Sequence, residues 1–349
     1  MSKRLMRAVV FKAPGQPLEL AEVPVPTLKE GEVLVRVAAT GVCHTDLHIL
    51  DGEFLTPPEG FILGHEVSGW VEELGPGCEL TRGTPVVVSW IVPCGKCRWC
   101  VRGQENYCPH AISKMPGLLG LDGGHAEFMA VPETAVFPIP PGVDVYTAAA
   151  VACAYGTAYR VLKEANVGPG VSIVVVGAGG VGLAAVELAN ALGAYPIVAI
   201  DIRDAALARA KEMGATHVLD ARDPGLTTKI REITQLGADV VYETKPNPDL
   251  SIALEVVRRG GVVVVTGLGL GSVQIPTAHL VMNGIKIIGS LGYRPRLDIP
   301  ELLALAAAGK INPAKLISHR YRPEEINQAY SNLRRGLHSR ALVIWTGEK

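Results

Sequence analysis

Four cysteines lie close together in the sequence with the spacing C-x2-C-x2-C-x7-C: Cys94, Cys97, Cys100 and Cys108. So short a segment cannot build a hydrophobic core, but four thiolates can enclose one metal ion in a tetrahedral shell. Glycine and proline residues, which favour loops, surround the cysteines. The spacing therefore predicts a lobe over residues 93–109 that a structural zinc ion holds in place.

Two other interpretations of this run are open at the sequence level. Disulfides or free thiols are less favoured, because the basic N-terminus leads into no apolar secretory stretch and a reducing compartment is expected. An iron–sulfur site is suggested by Pro109 after Cys108, but ferredoxin runs place three residues before the last cysteine, not seven. A closed zinc site remains the favoured prediction.

Composition restricts the function classes. The 349 residues suggest about two domains, and the formal net charge of -1 gives no basic surface for nucleic acid. Although 48% of the residues are hydrophobic, no uncharged apolar run approaches the roughly 20 residues of a membrane span. We therefore expect a cytoplasmic protein that binds neither nucleic acid nor membrane.

The pattern of apolar residues changes near residue 150. Before it, short β-like runs such as 33–39 and 67–74 are broken by glycine and proline, as in a small, mostly β domain. After residue 171, apolar strands alternate with helices, which predicts βαβ units on a parallel sheet. The tail beyond residue 292, with a predicted helix over 299–308, is compatible with a third unit or a return to the first.

A glycine-rich turn follows the first strand of the alternating part. In Gly177-Ala-Gly-Gly-Val-Gly182, the first glycine suits a tight turn, Gly179 admits a pyrophosphate, and Gly182 allows close packing of helix on strand. Gly180 and Val181 would present the helix N-terminus to the phosphates. The motif predicts a dinucleotide site.

The choice between NAD and NADP depends on two residues in the next strand and turn. Asp201 lies 19 residues after Gly182, where a carboxylate holds the adenosine ribose and repels a 2′-phosphate. Arg203 could reach a 2′-phosphate if Asp201 turned away. We therefore predict NAD as the cofactor.

The β-rich part contains a second group of possible metal ligands. Cys43 begins the segment Cys-His-Thr-Asp-Leu-His, and His65 and Glu66 follow a glycine. Cys153 lies much further along the chain in an alanine-rich segment. The spacing alone does not show whether Cys43, His65 and Cys153 converge on one ion.

Taken in order along nearly the whole chain, these motifs resemble the zinc-dependent medium-chain alcohol dehydrogenases of prokaryotic type. The resemblance implies an α/β protein with a GroES-like, mostly β catalytic domain at residues 1–154 and 293–349. It also implies an inserted Rossmann domain, a doubly wound parallel sheet that binds NAD, at residues 155–292.

The resemblance also implies a role for each site residue. Cys43, His65 and Cys153 would bind a catalytic zinc, and the four-cysteine lobe would bind a structural zinc, giving two per subunit. Around the catalytic zinc, Asp46 would orient His65, and Glu66 would lie behind the ion. Thr45 and His48 would relay the proton, and Trp90 would line the substrate pocket. Among the cofactor contacts, His44 and Arg340 would face the pyrophosphate, and Thr157 would contact the nicotinamide.

The implied reaction is the interconversion of an alcohol with its aldehyde or ketone. A zinc-bound alkoxide would pass hydride to the nicotinamide after its proton left through Thr45 and His48. Polyol, amino-alcohol or hydroxyacyl-thioester dehydrogenases on the same scaffold are alternatives, and a non-catalytic NAD-binding protein is a more distant one. The small-molecule substrate itself is not specified, and the prokaryotic resemblance favours a homotetramer over a dimer.

Overall fold

The computed structural model describes residues 4–54 and 56–347, which form two compact units. The chain passes from the first unit to the second after Gly156, and returns to the first after Leu291. The predicted domain limits, 154/155 and 292/293, lie within two residues of these points. The tail that the sequence pattern left unassigned belongs to the first unit.

The N-terminal part of the first unit is mostly β-structure. Its elements are β1 (Leu5–Val10), β2 (Glu19–Pro24), β3 (Glu32–Val42), α1 (His44–Leu50), β4 (Val67–Leu74), β5 (Pro85–Val88), β6 (Met115–Pro116), β7 (Gly120–Leu121), β8 (Phe128–Pro132) and β9 (Val136–Pro138). β3 is the longest strand and is buried along most of its length. It pairs antiparallel with both β4 and β8, so it organises the sheet.

The second unit alternates strands and helices, as the sequence pattern predicts. Beginning with the helix that contains the first division point, its elements are α2 (Ala154–Glu164), β10 (Ile173–Val176), α3 (Gly180–Ala191), β11 (Ile197–Asp201), α4 (Asp204–Glu212), β12 (His217–Asp220), α5 (Leu226–Thr234), β13 (Ala238–Glu243), α6 (Ser251–Val256), β14 (Val257–Val265), α7 (Thr277–Asn283) and β15 (Lys286–Gly289). The six strands form one parallel sheet in the order β12-β11-β10-β13-β14-β15.

This strand order reverses direction between β10 and β13, and doubly wound sheets bind ligands at the carboxyl ends of the strands beside such a point. β10 and β11 are buried at every residue, because helices cover both faces of a parallel sheet. The glycine-rich turn therefore lies at the edge of the sheet where a nucleotide is expected.

The C-terminal segment adds three helices and two strands to the first unit: α8 (Pro295–Ala307), α9 (Pro313–Leu316), β16 (His319–Tyr321), α10 (Ile326–Arg334) and β17 (Ala341–Ile344). α8 begins at Pro295 rather than at the predicted Ile299, because proline suits the first position of a helix. β17 pairs antiparallel with β3, with Ala341 opposite Val42. This register places the C-terminal segment directly behind Cys43.

Candidate metal centres and nucleotide site

The four lobe cysteines converge as the spacing predicts. Sγ of Cys97 lies 3.5 Å from Sγ of Cys100 and 3.8 Å from Sγ of Cys108, and all four sulfurs lie within 4.8 Å of one another. Tetrahedral zinc, with Zn–S bonds of about 2.3 Å, separates its sulfurs by about 3.8 Å. None of the seven cysteines, each in the described part of the chain, forms a disulfide, so the disulfide interpretation is wrong.

Backbone N–H groups prepare the lobe for thiolates. The amides of Cys94 and Cys97 donate to the sulfurs of Cys108 and Cys94, each at 3.4 Å. Hydrogen bonds from backbone amides, first that of Lys96, lower the pKa of Cys94 to about 6, whereas burial raises that of Cys100 to about 12. Backbone hydrogen bonds, first that of Cys100, also lower the pKa of Cys97, so the lobe combines two readily ionised sulfurs with one, Cys100, whose ionisation needs a cation.

The lobe is fixed to the C-terminal segment by a buried carboxylate. Glu105, almost fully buried, accepts a hydrogen bond of 3.1 Å from the Arg296 amide and also pairs with the Arg296 guanidinium. Arg296 lies in the first turn of α8. This contact is not predictable from the sequence, because nothing local connects residues 191 positions apart.

A second group of candidate metal ligands is assembled from three separate segments. Cys43 follows β3, His65 and Glu66 precede β4, and Cys153 precedes α2. All four are buried, their ligand atoms lie within 4.8 Å of one another, and Sγ of Cys43 is 4.0 Å from Sγ of Cys153. The structure thus brings together the three residues whose convergence the spacing left open.

Asp46 is hydrogen-bonded to the His65 ring on the side away from the cluster. Asp46 Oδ1 lies 3.1 Å from His65 Nδ1, which leaves Nε2 as the ring nitrogen available to a metal. Asp46 Oδ2 accepts from the Cys43 amide at 3.3 Å and from the Tyr330 hydroxyl at 2.9 Å. Contact with Cys153 lowers the pKa of Cys43, which favours the thiolate. Tyr330 is a site residue that the sequence analysis missed.

Glu66 and Arg340 form a buried ion pair beside the cluster. The Arg340 guanidinium donates to Glu66 Oε1, and it also approaches the Val42 carbonyl at 3.4 Å. Burial raises the pKa of Glu66 to about 7. Glu66 Oε2 is buried without a hydrogen-bond partner, and a Cβ on Gly41 would lie 2.1 Å from it. Two thiols, an imidazole and an orphaned carboxylate oxygen are a donor set that fits zinc.

The other residues predicted for the catalytic site lie on or near the same elements. Thr45 Oγ1 is 3.7 Å from Cys43 Sγ, and His48 Nδ1 is hydrogen-bonded to Glu53, a partner that the sequence analysis missed. His44 is exposed at the start of α1. The indole of Trp90 lies edge-on to the imidazole of His65, with ring centroids 6.4 Å apart.

In the second unit, the glycine-rich turn has the geometry that its motif predicts. Gly177 has φ of +97°, which favours glycine, and a Cβ on Gly182 would lie 1.9 Å from the Gly177 carbonyl oxygen. A Cβ on Gly179 would meet nothing within 4 Å, so the space above the turn is open. Gly180 and Val181 begin α3, and Thr157 is half-buried in α2.

Asp201 ends β11 and is held by Arg203. Asp201 Oδ1 accepts from the Arg203 amide and Nε, each at 3.0 Å, and Oδ2 accepts from Arg203 Nη2 at 3.1 Å. Oδ2 also accepts from the Ala178 amide at 2.8 Å. Burial opposes ionisation, but these hydrogen bonds outweigh it and lower the pKa of Asp201. The carboxylate therefore faces the glycine-rich turn.

Comparison with known proteins agrees with this architecture. Residues 29–141 match the model of the alcohol dehydrogenase GroES-like domain, and residues 180–308 match that of the zinc-binding dehydrogenases. An alcohol dehydrogenase of Geobacillus stearothermophilus is 35% identical over 97% of this chain and 98% of its own length. An NAD-dependent alcohol dehydrogenase of Sulfurisphaera tokodaii is 33% identical over 94% of this chain and 96% of its own length.

A solved structure extends this likeness to the fold. The alcohol dehydrogenase of Thermus sp. ATN1 superposes with a TM-score of 0.89, at 34% identity, over 97% of this chain and 99% of its own. Fold and sites define a zinc-binding dehydrogenase with GroES-like and Rossmann-type domains. The chain belongs to the zinc-dependent medium-chain alcohol dehydrogenases, whose zinc and NAD serve the interconversion of alcohols and carbonyl compounds. Within residues 4–54 and 56–347, no helix has the length and apolar character to cross a membrane.

Proposed function

We propose that Cys43, His65 and Cys153 hold the catalytic zinc and that Glu66 lies behind it. The convergence of these three side chains in one buried cluster is the observation that carries the proposal. Zinc, when bound there, supplies a Lewis acid that lowers the pKa of an alcohol hydroxyl and polarises a carbonyl. Two thiolates would balance the charge of a divalent cation, so the cluster would carry no net charge towards the substrate.

The residues around the cluster have separate tasks in this proposal. Asp46 keeps the proton of His65 on Nδ1 and so keeps Nε2 directed at the metal. The Arg340 guanidinium stabilises the Glu66 carboxylate in a buried site where it would otherwise be protonated. Trp90, beside His65, narrows the substrate side and favours unbranched primary alcohols or flat aromatic ones.

Thr45 and His48 would carry the proton of the alcohol away. Thr45 Oγ1 lies next to Cys43 Sγ, within reach of a group bound at the cluster. Glu53 accepts from His48 Nδ1–H, which leaves Nε2 free to accept the incoming proton. Because the Glu53 side chain is 38% exposed, the proton held by His48 has a route to solvent.

The second unit would bind NAD. The amides at the N-terminus of α3, among them those of Gly180 and Val181, would meet the pyrophosphate above Gly177 and Gly179. Asp201 would hold the adenosine ribose. His44, Thr157 and Arg340 complete the proposed cofactor contacts. Arg203 lies beside the ribose position, where it pairs with Asp201. Residues 1–154 with 293–349 would form the catalytic domain, and residues 155–292 the NAD domain.

The lobe cysteines would bind the structural zinc, and the chain would assemble as a homo-oligomer, with a tetramer favoured over a dimer. β15 forms one edge of the parallel sheet, and nearby Val281 and Met282 are 75% and 72% exposed. A strand with one unpaired edge, beside exposed apolar side chains, favours association with a second copy. Seven free thiols support a reducing, cytoplasmic compartment.

The direct test is NADH formation by zinc-loaded protein with NAD and a panel of primary, secondary, aromatic and polyol substrates. Each assay is repeated after a chelator has removed the more labile zinc. We expect activity on one class of alcohol that disappears with the first zinc and returns when zinc is restored. Activity that survives removal of both zinc ions would contradict the proposed mechanism.

A further inference from the structure

Two fully enclosed side chains extend the hydrogen-bond network behind Asp46. The Tyr330 hydroxyl lies 2.9 Å from Asp46 Oδ2, and His125 Nε2 lies 2.8 Å from the same hydroxyl. None of the three residues is more than 4% exposed. Asp46 lies in α1, Tyr330 in α10 and His125 in the segment before β8, so only the folded chain brings them together.

The direction of these hydrogen bonds follows from the groups involved. An ionised carboxylate can only accept, so Tyr330 donates to Asp46. The Tyr330 oxygen is then the acceptor for a proton on His125 Nε2. A neutral His125 with its proton on Nε2 leaves only a lone pair on Nδ1, and Nδ1 is buried without a partner in the described structure. Burial lowers the pKa of His125 to about 4, which keeps the ring neutral.

The backbone fixes His125 next to the cluster. Its amide donates to the Leu63 carbonyl at 3.0 Å, and its own carbonyl accepts from the Val9 amide at 2.7 Å. Its ring lies so close to Gly64 that a Cβ there would be 2.9 Å from His125 Cγ. His125 therefore packs against the residue that precedes His65, and its position is coupled to that of the ligand.

We propose that Tyr330 is a positioning residue for the catalytic zinc: its hydroxyl, held by His125, fixes Asp46 so that His65 presents Nε2 to the metal. The proposal rests on the proposed ligand set of Cys43, His65 and Cys153. Asp46 Oδ1 faces His65, whereas Oδ2 accepts from the Cys43 amide at 3.3 Å and from the Tyr330 hydroxyl at 2.9 Å, so the closer donor to Oδ2 is Tyr330. Without it, the carboxylate could rotate about its side-chain bonds and release the imidazole.

The variant Tyr330→Phe tests this role by removing only the hydroxyl. Its matched control is Tyr321→Phe, because the Tyr321 hydroxyl accepts from Asn332, also on α10, at 2.9 Å and is not part of this network. The measurement is the zinc dissociation constant of each of the two sites, by chelator competition. The absorption spectrum of the cobalt(II)-substituted protein reports on the geometry of the His65 site.

We expect Tyr330→Phe to weaken zinc binding roughly 10-fold at one site only, the low end of the effect of outer-shell partners. The cobalt spectrum should shift, whereas Tyr321→Phe should leave both constants unchanged. His125→Gln, whose side-chain amide can still donate, should retain most of the affinity that His125→Phe loses. This second pair tests the proposal even if Tyr330→Phe fails to fold.

Unchanged zinc affinity in Tyr330→Phe and His125→Phe would overturn the proposal. Equal losses at both zinc sites, together with a lower melting temperature, would also overturn it by assigning Tyr330 a purely structural role. Wild-type protein that binds zinc only in the lobe would instead contradict the proposed ligand set. The two failures are therefore distinguishable in the same experiment.

Discussion

The two cysteine clusters lie in the same unit of the protein but are built in opposite ways. The lobe takes all four ligands from residues 94–108, and two of its cysteines are only half-buried. The other cluster takes its candidate ligands from segments up to 110 residues apart, and each of these residues is buried. A local cluster can order its own segment around an ion, whereas an assembled cluster depends on the fold that surrounds it.

This difference explains why the assembled cluster is better suited to catalysis than the lobe. The assembled cluster is surrounded by groups from distant parts of the chain, including Asp46, Tyr330 and Arg340, which can adjust the charge and orientation of its ligands. The lobe has mainly its own backbone amides and the Glu105–Arg296 pair. We infer that stability is the task of the lobe and reactivity that of the assembled cluster.

Cys43→Ala should have the largest effect, because it removes a ligand from the assembled cluster. We expect turnover to fall to background and zinc content to fall from two ions to one per chain. NADH affinity, measured by fluorescence titration, should be largely unchanged, because the glycine-rich turn and Asp201 belong to the second unit and the variant keeps His44 and Arg340. Full activity with two zinc ions would show that Cys43 is not a ligand.

Cys108→Ser should act on stability rather than on the reaction. Zinc-finger peptides bind zinc with about 10–16 kcal/mol. If Cys108→Ser lowers the free energy of unfolding by only about 3 kcal/mol, the melting temperature should fall by roughly 5–10 °C. The rate constant at 25 °C should change little.

The control for Cys108→Ser is Cys78→Ser. Cys78 belongs to neither cluster, and its thiol donates to the Glu32 carbonyl, a bond that a serine can keep. A lobe variant as stable as this control, measured by calorimetry, would contradict the structural role of the lobe.

Alkylation of zinc-free protein compares two cysteines of the lobe by their dependence on pH. The pKa of Cys94 is lowered to about 6, so Cys94 is a thiol below that pH and becomes a nucleophilic thiolate as the pH rises through it. Its reaction with iodoacetamide should therefore rise from pH 5 and level off near pH 8, as measured by peptide mass spectrometry. Cys100, with a pKa raised to about 12, should stay unmodified over this range, and equal rates would contradict the assignment.

Arg203→Ala should have the smallest effect and tests a local contact in the second unit. Arg203 occupies lone pairs of Asp201 that ribose hydroxyls would use, and it offsets the charge that repels a 2′-phosphate. Its removal should tighten NADH binding roughly 2- to 10-fold, the worth of one hydrogen bond. Discrimination against NADPH should increase as well.

Arg222→Ala is the matched control for Arg203→Ala. Arg222 forms the same bidentate pair with Asp220, at the end of the neighbouring strand and opposite Asp201 in the sheet register. Isothermal titration calorimetry should show little change in this control. Weaker NADH binding in Arg203→Ala alone would show that Arg203 supports the nucleotide instead of competing with it.

The sequence predicted the fold class and the family, and both are confirmed by the comparisons. It also predicted zinc and NAD, because the glycine-rich turn and the lobe each lie within one short segment. Helix α8 was predicted to begin four residues too late, since Pro295 gave no periodic signal. Individual roles, including those of Thr45, Trp90 and Thr157, stay predictions that the proposed experiments address.

Tyr330, His125 and Glu53 show what sequence reasoning could not supply. Tyr330 lies 284 residues from Asp46, and its helical pattern indicates only a residue buried in the core. His125 gives no signal that separates it from any other single histidine. Glu53 is close to His48, but nothing in the sequence shows that its carboxylate turns back towards the ring.

The sequence by itself determined the features whose physics is local. Cysteine spacing specifies the lobe, glycine at positive φ specifies the turn at Gly177, and alternating strands and helices specify a parallel sheet. Only the tertiary structure decided that Cys43, His65, Glu66 and Cys153 meet, and that Arg340 and Tyr330 lie behind them. The pairing of β17 with β3 brings the C-terminal segment to the cluster, and no local pattern encodes a contact made by such distant parts of the chain.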